Sequence, residues 1–403
     1  SCGIMNVFHK NVEYTPGPTS IPLPTQEAED STSVKNPETP ETTEQPAEEQ
    51  SAQVIVPPQE PITLPDGFGI SVFQSGLSGP RMMAVGPDAQ LYVAERGNGR
   101  IIRLPDRDQD GISDGIEVVA EDLLEPSSLA FYKDGSIYIG ETTRVVRVSD
   151  PDGDGYFQER EIIVAGIPAG GHTTRTVIFS PDYEHLYVSI GSSCNVCEER
   201  DERRATVTRY QPDGSQETIF STGLRNAVGM AFRPSNDILW VTNNGRDWLG
   251  DDLPPETVYA IYKDADAGWP ECHAGRIIDP DYGDQNSCDE ILVPRIEMQA
   301  HTAPLGITFY SGDQFPDIYQ DDLFIAMHGS WNRTSPVGYK IVRIAFNPGE
   351  RGPVEDFAAG WLREDGSNWG RPVDLVNAPD GGLFMSDDGE GNIYRIFYSG
   401  TDR

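Results

Sequence analysis

A six-bladed β-propeller behind a polar N-terminal tether is predicted by three observations. A strand–turn–strand unit recurs six times from residue 61 onward, and turn formers are abundant, with 41 Gly and 32 Pro among 403 residues. No 3.6-residue apolar period and no apolar run of about 18 residues appears. The repeat sets the architecture, the turn formers argue against a helix bundle, and the missing run argues against a membrane-spanning helix.

Each unit pairs an apolar strand with a second strand carrying a central aromatic, across a Pro-Asp or Asp-Gly type of turn. The pairs are Met82–Val85 with Leu91–Val93, Leu129–Phe131 with Ile137–Ile139, and Val177–Phe179 with Leu186–Val188. They continue as Gly229–Phe232 with Leu239–Val241, Gly306–Phe309 with Leu323–Ile325, and Val373–Val376 with Leu383–Met385. Third strands ending in Arg follow at Ile101–Arg103, Val145–Arg147, Ile341–Arg343 and Ile393–Arg395. About 57 residues per unit is enough for a four-stranded blade, so residues 61–403 read as one propeller domain.

Residues 1–60 contrast with this body. They hold nine of the 32 Pro and ten acidic residues against two Lys, with no apolar period, which is the composition of a disordered tether. A lipid on Cys2, in Ser1-Cys2-Gly3, would explain so long a polar segment and would place the start close to a processing site. The four remaining cysteines read as the local disulfides Cys194–Cys197 and Cys272–Cys288 of an oxidising compartment, periplasmic or extracellular. A net charge of −35 argues against nucleic acid or an anionic membrane surface as the main partner. Membrane contact is expected only through the lipid.

In a propeller the innermost strands line the axis, so the residues just before them meet at one mouth. Those positions are Arg81, Ser127 or Ser128, His172 with Arg175, Arg225 with Asn226, His301, and Arg371. Several cations around one channel, in so acidic a chain, call for an anionic ligand or compensating carboxylates.

These motifs also carry a resemblance. Gly170-Gly-His-Thr-Thr-Arg-Thr-Val177, Ile190-Gly-Ser-Ser-Cys-Asn-Val-Cys197, Gly223-Leu-Arg-Asn226, Asn243-Asn-Gly-Arg-Asp-Trp-Leu-Gly-Asp-Asp252 and Gly268-Trp-Pro270 stand in family order. With Ala303-Pro-Leu-Gly306, His328-Gly-Ser-Trp-Asn-Arg333 and Trp369-Gly-Arg371, the chain resembles the soluble PQQ-dependent sugar dehydrogenases, above all the sorbosone dehydrogenase branch. The resemblance implies pyrroloquinoline quinone (PQQ) and Ca²⁺ at the mouth, a sugar or sugar-derived aldehyde oxidised at C1, and an external electron acceptor, quinone or cytochrome. It makes His172 the general base. Arg225 and Arg371 would pair with cofactor carboxylates, Asn226 would donate to the quinone edge, and the backbone carbonyls of Gly245 and Arg246 would hold calcium. His301, His328 and Arg333 are expected to line the cofactor or substrate. The aldose enzymes have an Asp where this chain has Ser192, so Asp201 or a backbone carbonyl is expected to orient His172. They also have a glutamine where Glu125-Pro-Ser-Ser128 stands, and a cofactor-pairing lysine whose charge Arg333 or Lys340 would supply.

Away from the mouth, Asp106, Asp108 and Asp110 with Glu117, and Asp150, Asp152 and Asp154 with Glu161, match the D-x-D-x-D-G-x5-E spacing. They read as structural calcium loops between strands. Two rival readings of the whole chain are a cofactor-free recognition module for a glycan or protein, and a calcium-dependent lactonase. The lactonase would need axial carboxylates rather than arginines.

Overall fold

The structure is a computed structural model and describes residues 53–347 and 350–400. Cys2 and most of the expected tether lie outside the described residues. Six arrays of four antiparallel strands, the third extended by a short parallel fifth strand at Ala265–Asp266, form a closed propeller, with inner strands Pro80–Val85, Ser128–Phe131, Val177–Phe179, Met230–Phe232, Pro304–Phe309 and Pro372–Asn377 in blades 1 to 6. Blade 6 takes its outermost strand from the start of the body: Phe68–Gln74 pairs antiparallel with Asn392–Tyr398. That pairing joins both ends of the propeller in one blade and so closes the ring. Residues before this strand also join the body, with the Val54 amide donating to the Asp110 carbonyl and the Val72 amide to the Val56 carbonyl.

The second strands explain why the repeat is so visible. Leu91–Glu95, Ile137–Glu141, Leu186–Ile190, Leu239–Asn243, Leu323–Met327 and Leu383–Asp387 are buried at every position. A blade is covered on both faces by its neighbours, so its second strand is buried continuously, mostly with apolar residues, and not in alternation. The aromatic at its second position meets the Phe ending the next blade's inner strand. Tyr92–Phe131, Tyr138–Phe179, Tyr187–Phe232 and Trp240–Phe309 all lie edge to face, with ring centroids 4.8 to 5.7 Å apart. Each such pair adds about 1 kcal/mol beyond its burial. The series stops at blade 5, because the inner strand of blade 6 ends in Val376 and Asn377 instead of Phe.

Strand direction decides where the site lies. The loop entering each inner strand and the loop leaving each second strand emerge on the same face, the mouth. Loops joining third to fourth strands emerge on the other. Met82, Val228, Leu305 and Val373 form an apolar cluster at the mouth end of the axis and floor the site. Below them a cavity of about 260 Å³ is lined by residues including Thr176, Ile307 and Asp374. Blade 4 carries a long excursion, with a short hairpin pairing Cys272–His273 with Ile277–Ile278. Both expected disulfides are present, Cys194–Cys197 and Cys272–Cys288.

Candidate functional site at the propeller mouth

A repeated device holds the mouth loops. The last residue of the second strand turns its side chain to a backbone amide of the loop entering the inner strand. Glu95 accepts from the Ser78 amide at 2.8 Å, Glu141 from Leu124 at 2.8 Å, Asn243 from Asn226 at 3.1 Å and Asp387 from Arg371 at 2.8 Å. Blades 3 and 5 end in Ile190 and Met327 and lack it. Their entering loops carry His172 and His301.

In blade 3 arginines replace the missing clamp. Arg204 donates to the carbonyls of Pro168, Ala169, Gly170 and Gly191 at 2.6 to 3.1 Å, and Arg175 to those of Pro168, Thr174 and His172. Both guanidiniums are buried and neither makes an ion pair among the described residues. Gly171 permits this tight loop: its φ is +63°, and a Cβ there would fall 2.4 Å from Ser193 Cα.

His172 is oriented by Ser192. The imidazole Nδ1 lies 3.1 Å from the Ser192 carbonyl and 3.0 Å from its hydroxyl, and that hydroxyl donates its own proton to the Cys194 carbonyl at 2.7 Å. Both neighbours of Nδ1 therefore act as acceptors, so Nδ1 carries the proton and Nε2 keeps a lone pair. Burial, then the charge of Arg225, push the His172 pKa down to about 4, with Arg204 and Arg175 adding to the effect. The ring is neutral at neutral pH. Asp201, an expected orienting group, instead binds Arg203. Asn226 and His172 meet over Gly191, where a Cβ would fall 2.5 Å from Asn226 Oδ1 and 2.7 Å from His172 Cβ.

The other expected residues divide into those left open to a ligand and those engaged within the protein. Arg225 is buried and fully engaged: Nε and Nη2 donate to Asn195 at 2.9 and 3.0 Å, Nη2 also to Asp247 at 3.0 Å, and Nη1 to the Asn244 carbonyl at 3.3 Å. Arg371 makes no ion pair among the described residues; its Nε donates to the His328 carbonyl at 3.3 Å and its guanidinium carbon lies 5.9 Å from the Tyr339 ring centroid. His301 Nε2 donates to the Gly250 carbonyl at 2.8 Å. His328 Nε2 meets Asp388 Oδ1 at 2.8 Å, and Arg81 holds the other carboxylate oxygen at 2.7 Å. Burial would raise Asp388, but His328 and Arg81 outweigh it and hold the carboxyl at about 2. Arg333 is taken up by the Asp251 carbonyl and Asp252, and Lys340 by Asp356. Beside Arg81 and Asp388 a cleft of about 580 Å³ opens, lined also by Arg96, Glu125, Thr173 and Thr174, next in sequence to His172.

Gly245 and Arg246 lie in the blade 4 mouth loop. The Gly245 amide donates to buried Glu256 at 2.7 Å, and the Arg246 side chain is buried against Asp279, which also meets His273 at 2.8 Å. Burial pushes Glu256 up to about 7. Neither the Gly245 nor the Arg246 carbonyl accepts a hydrogen bond from the described residues. On the opposite face, ligand atoms of Asp106, Asp108 and Asp110 lie within 4.8 Å of one another, as do those of Asp150, Asp152 and Asp154. Glu117 is not with the first trio; it faces Arg103 and Arg107, and Glu161 lies 3.7 Å from Arg147. These glutamates sit on fourth strands, whose pairing aligns them with arginines of the third strands.

Sequence reasoning missed Arg204, Asn195, Asp247 and Asp388. Asn195 and Asp247 stood inside quoted motifs, but nothing local marked them as partners. Arg204 and Asp388 carried no local signal at all.

A closed six-bladed propeller with a half-buried neutral histidine in a cationic mouth is the class this fold and site define. Within it, the chain belongs to the family described as a domain of unknown function, DUF7133, whose model matches residues 94–393. An uncharacterized protein of Borreliella burgdorferi is 30% identical over 357 residues, covering 84% of this chain and 91% of its own. The pyrroloquinoline quinone-dependent pyranose dehydrogenase of Coprinopsis cinerea is 25% identical over 406 residues, covering 84% of this chain and 55% of its own, so this chain spans about half its length. A calcium structure of the Trichoderma reesei carbohydrate-active enzyme family AA12 superposes with a TM-score of 0.74 at 22% identity, over 84% of this chain and 97% of that one. The resemblance to the soluble PQQ-dependent sugar dehydrogenases, first met in the motifs, thus holds across sequence relatives and fold.

Proposed function

We propose that the chain is a PQQ-dependent dehydrogenase that oxidises a sugar or sugar-derived aldehyde, aldose- or sorbosone-like, at C1, with electrons passing to an external quinone or cytochrome. The observation that carries this reading is the His172 arrangement: a neutral imidazole, its protonated Nδ1 held by Ser192, set among Arg225, Arg204 and Arg175, of which the last two make no ion pair among the described residues.

The residues present fit an anionic quinone cofactor. Arg175, Arg204 and Arg371 make no ion pair among the described residues, so the mouth has positive charge to offer a polycarboxylate. Arg371 is the cation free to pair with it, and Asn226 has a side chain able to donate beside His172. Arg225, engaged with Asn195 and Asp247, contributes its field and fixes the loops. The unsatisfied carbonyls of Gly245 and Arg246 suit a calcium ion, a hard cation that takes oxygen ligands. The two Asp trios on the other face would take calcium structurally.

PQQ, when bound, supplies a hydride acceptor. His172 Nε2 takes the proton of the sugar hydroxyl, and the Ser192 carbonyl stabilises the imidazolium so formed through Nδ1–H. The apolar floor of Met82, Val228, Leu305 and Val373 closes the axis beneath the reacting groups. An oxidising compartment, periplasmic or extracellular, suits the two disulfides.

The test is to titrate metal-free protein with PQQ and Ca²⁺, then add aldoses and sorbosone with a dye acceptor. Stoichiometric binding with dye reduction is expected. His172→Ala should keep cofactor binding and lose kcat by about 10²–10⁴-fold; turnover near wild type would overturn the assignment.

A further inference from the structure

Six tryptophans divide sharply. Trp240, Trp269, Trp361 and Trp369 are at most 7% exposed, whereas Trp248 is 71% and Trp331 is 68% exposed. The two exposed indoles touch only in the sense that they form a corner, with ring centroids 6.3 Å apart and planes at 80°. Two large apolar surfaces presented together to solvent contribute little to folding and mark a binding site.

The backbone supports the same view. Trp248 has a φ of +68°, in the left-handed region that a bulky side chain avoids. Conformations of this kind persist where surrounding contacts over-determine them. Those contacts converge on Asp247. Its amide donates to Asn195 Oδ1 at 2.7 Å, its carbonyl accepts from Asn195 Nδ2 at 3.1 Å, and its carboxylate takes Arg225 at 3.0 Å and Asn332 at 2.8 Å. Trp248 follows Asp247 and Trp331 precedes Asn332, so one residue fixes both indoles to each other. Asn195 lies three residues beyond Ser192, so the same residue fixes them to the loop that orients His172.

We propose that Trp248 and Trp331 form a stacking platform for a second pyranose ring, so that the substrate is a reducing oligosaccharide entering reducing end first. The proposal rests on the sugar dehydrogenase reading and names its substrate class. A pyranose ring presents an apolar C–H face and a rim of hydroxyls. The C–H hydrogens are attracted to the negative face of an indole, and the rim needs acceptors nearby. The corner supplies one face beneath a ring and another against its edge. Asp252, whose side chain is 85% exposed and holds Arg333 through one oxygen at 2.9 Å, supplies carboxylate oxygen at the rim. An aromatic corner with an acidic rim, in a chain of net charge −35, suits a neutral saccharide better than an acidic partner.

Two measurements test this. With PQQ and Ca²⁺ loaded, kcat/KM is compared for glucose, maltose, maltotriose, cellobiose and cellotriose. The trisaccharides should exceed glucose by about 10-fold, and W248A and W331A should each cut that ratio about 10-fold while W248F and W331F restore most of it. Separately, quenching of tryptophan fluorescence by maltotriose and cellotriose is followed without PQQ, which reads the platform independently of turnover. Saccharide binding lost in W248A, without any PQQ-dependent dye reduction, would keep the platform and overturn the dehydrogenase reading. Dye reduction with no preference for longer saccharides, or no quenching by either trisaccharide, would overturn the platform.

Discussion

Blades 1, 2, 4 and 6 hold their mouth loops with a polar residue at the end of the second strand; blades 3 and 5 have Ile190 and Met327 there. In the first group the clamp lies 16 or 17 residues from the amide it holds, inside one blade; in blades 1 and 2 it holds Ser78 and Leu124, outside the site, and in blades 4 and 6 it holds Asn226 and Arg371. In blade 3 the loop is instead tied by Arg175 and Arg204 through main-chain carbonyls, and a histidine stands where the repeat is broken. The difference teaches that the mouth histidines His172 and His301 stand where the repeat is interrupted, while the clamped loops of blades 4 and 6 present Asn226 and Arg371. A carboxylate at position 190 would place a negative charge near the imidazole, raise its pKa and compete for the cations. An apolar residue there leaves the positive field uncompensated.

The largest test of this contrast is Arg204→Ala. It removes donors from three carbonyls of the His172 loop and from that of Gly191, so kcat should fall about 100-fold, with Tm also lowered, and Arg204→Lys should recover little because one ammonium cannot serve all four acceptors. A steady-state assay with dye reduction reads this; an unchanged kcat would show that the loop is held by other contacts. Ser192→Ala sharpens the point at smaller scale. The carbonyl still accepts from Nδ1, so kcat should fall only about 3- to 10-fold. The acid limb of kcat against pH checks the electrostatics: with the His172 pKa lowered to about 4, the base form persists well below the ordinary 6.5, and activity should fall as pH drops through about 4. The linked stability effect has a definite sign. The unfolded chain binds this proton near 6.5 and the fold resists it, so stability falls as pH falls from about 6.5 to 4. Smallest in function should be Glu141→Ala, which breaks a blade 2 clamp. Losing the bond to the Leu124 amide and the ion pair with Arg144 should cost about 1–3 kcal/mol, read as a lower Tm, with kcat within twofold of wild type. A large loss of kcat would erase the distinction between the two groups of blades.

Legibility followed the range of the interactions. The opposite face is held by bonds of two to five residues, such as Asp106 with Gly111, Asp134 with Ser136 and Asp213 with Ser215, and such turns can be read from neighbouring letters. The disulfide pairings were readable for the same reason, at separations of 3 and 16. The mouth depends on partners such as Arg81 with Asp388, 307 residues apart, or Asn332 with Asp247, 85 apart. His172 could be found through its motif. A backbone carbonyl was among the groups expected to orient it, and the carbonyl is that of Ser192. That the Ser192 hydroxyl joins it, that Arg225 is engaged with Asp247, and that Glu117 and Glu161 face arginines, could not be read.

By itself, then, the sequence determined the six blades and the place of the site. Runs such as Leu186–Ile190 can be buried throughout only if both faces are covered, and six of them in series fix where the loops converge. Tertiary structure alone decided which charges at that convergence are neutralised and which stay available. Ion pairing depends on distances of a few ångströms between loops from different blades, and no local pattern of residues encodes those distances.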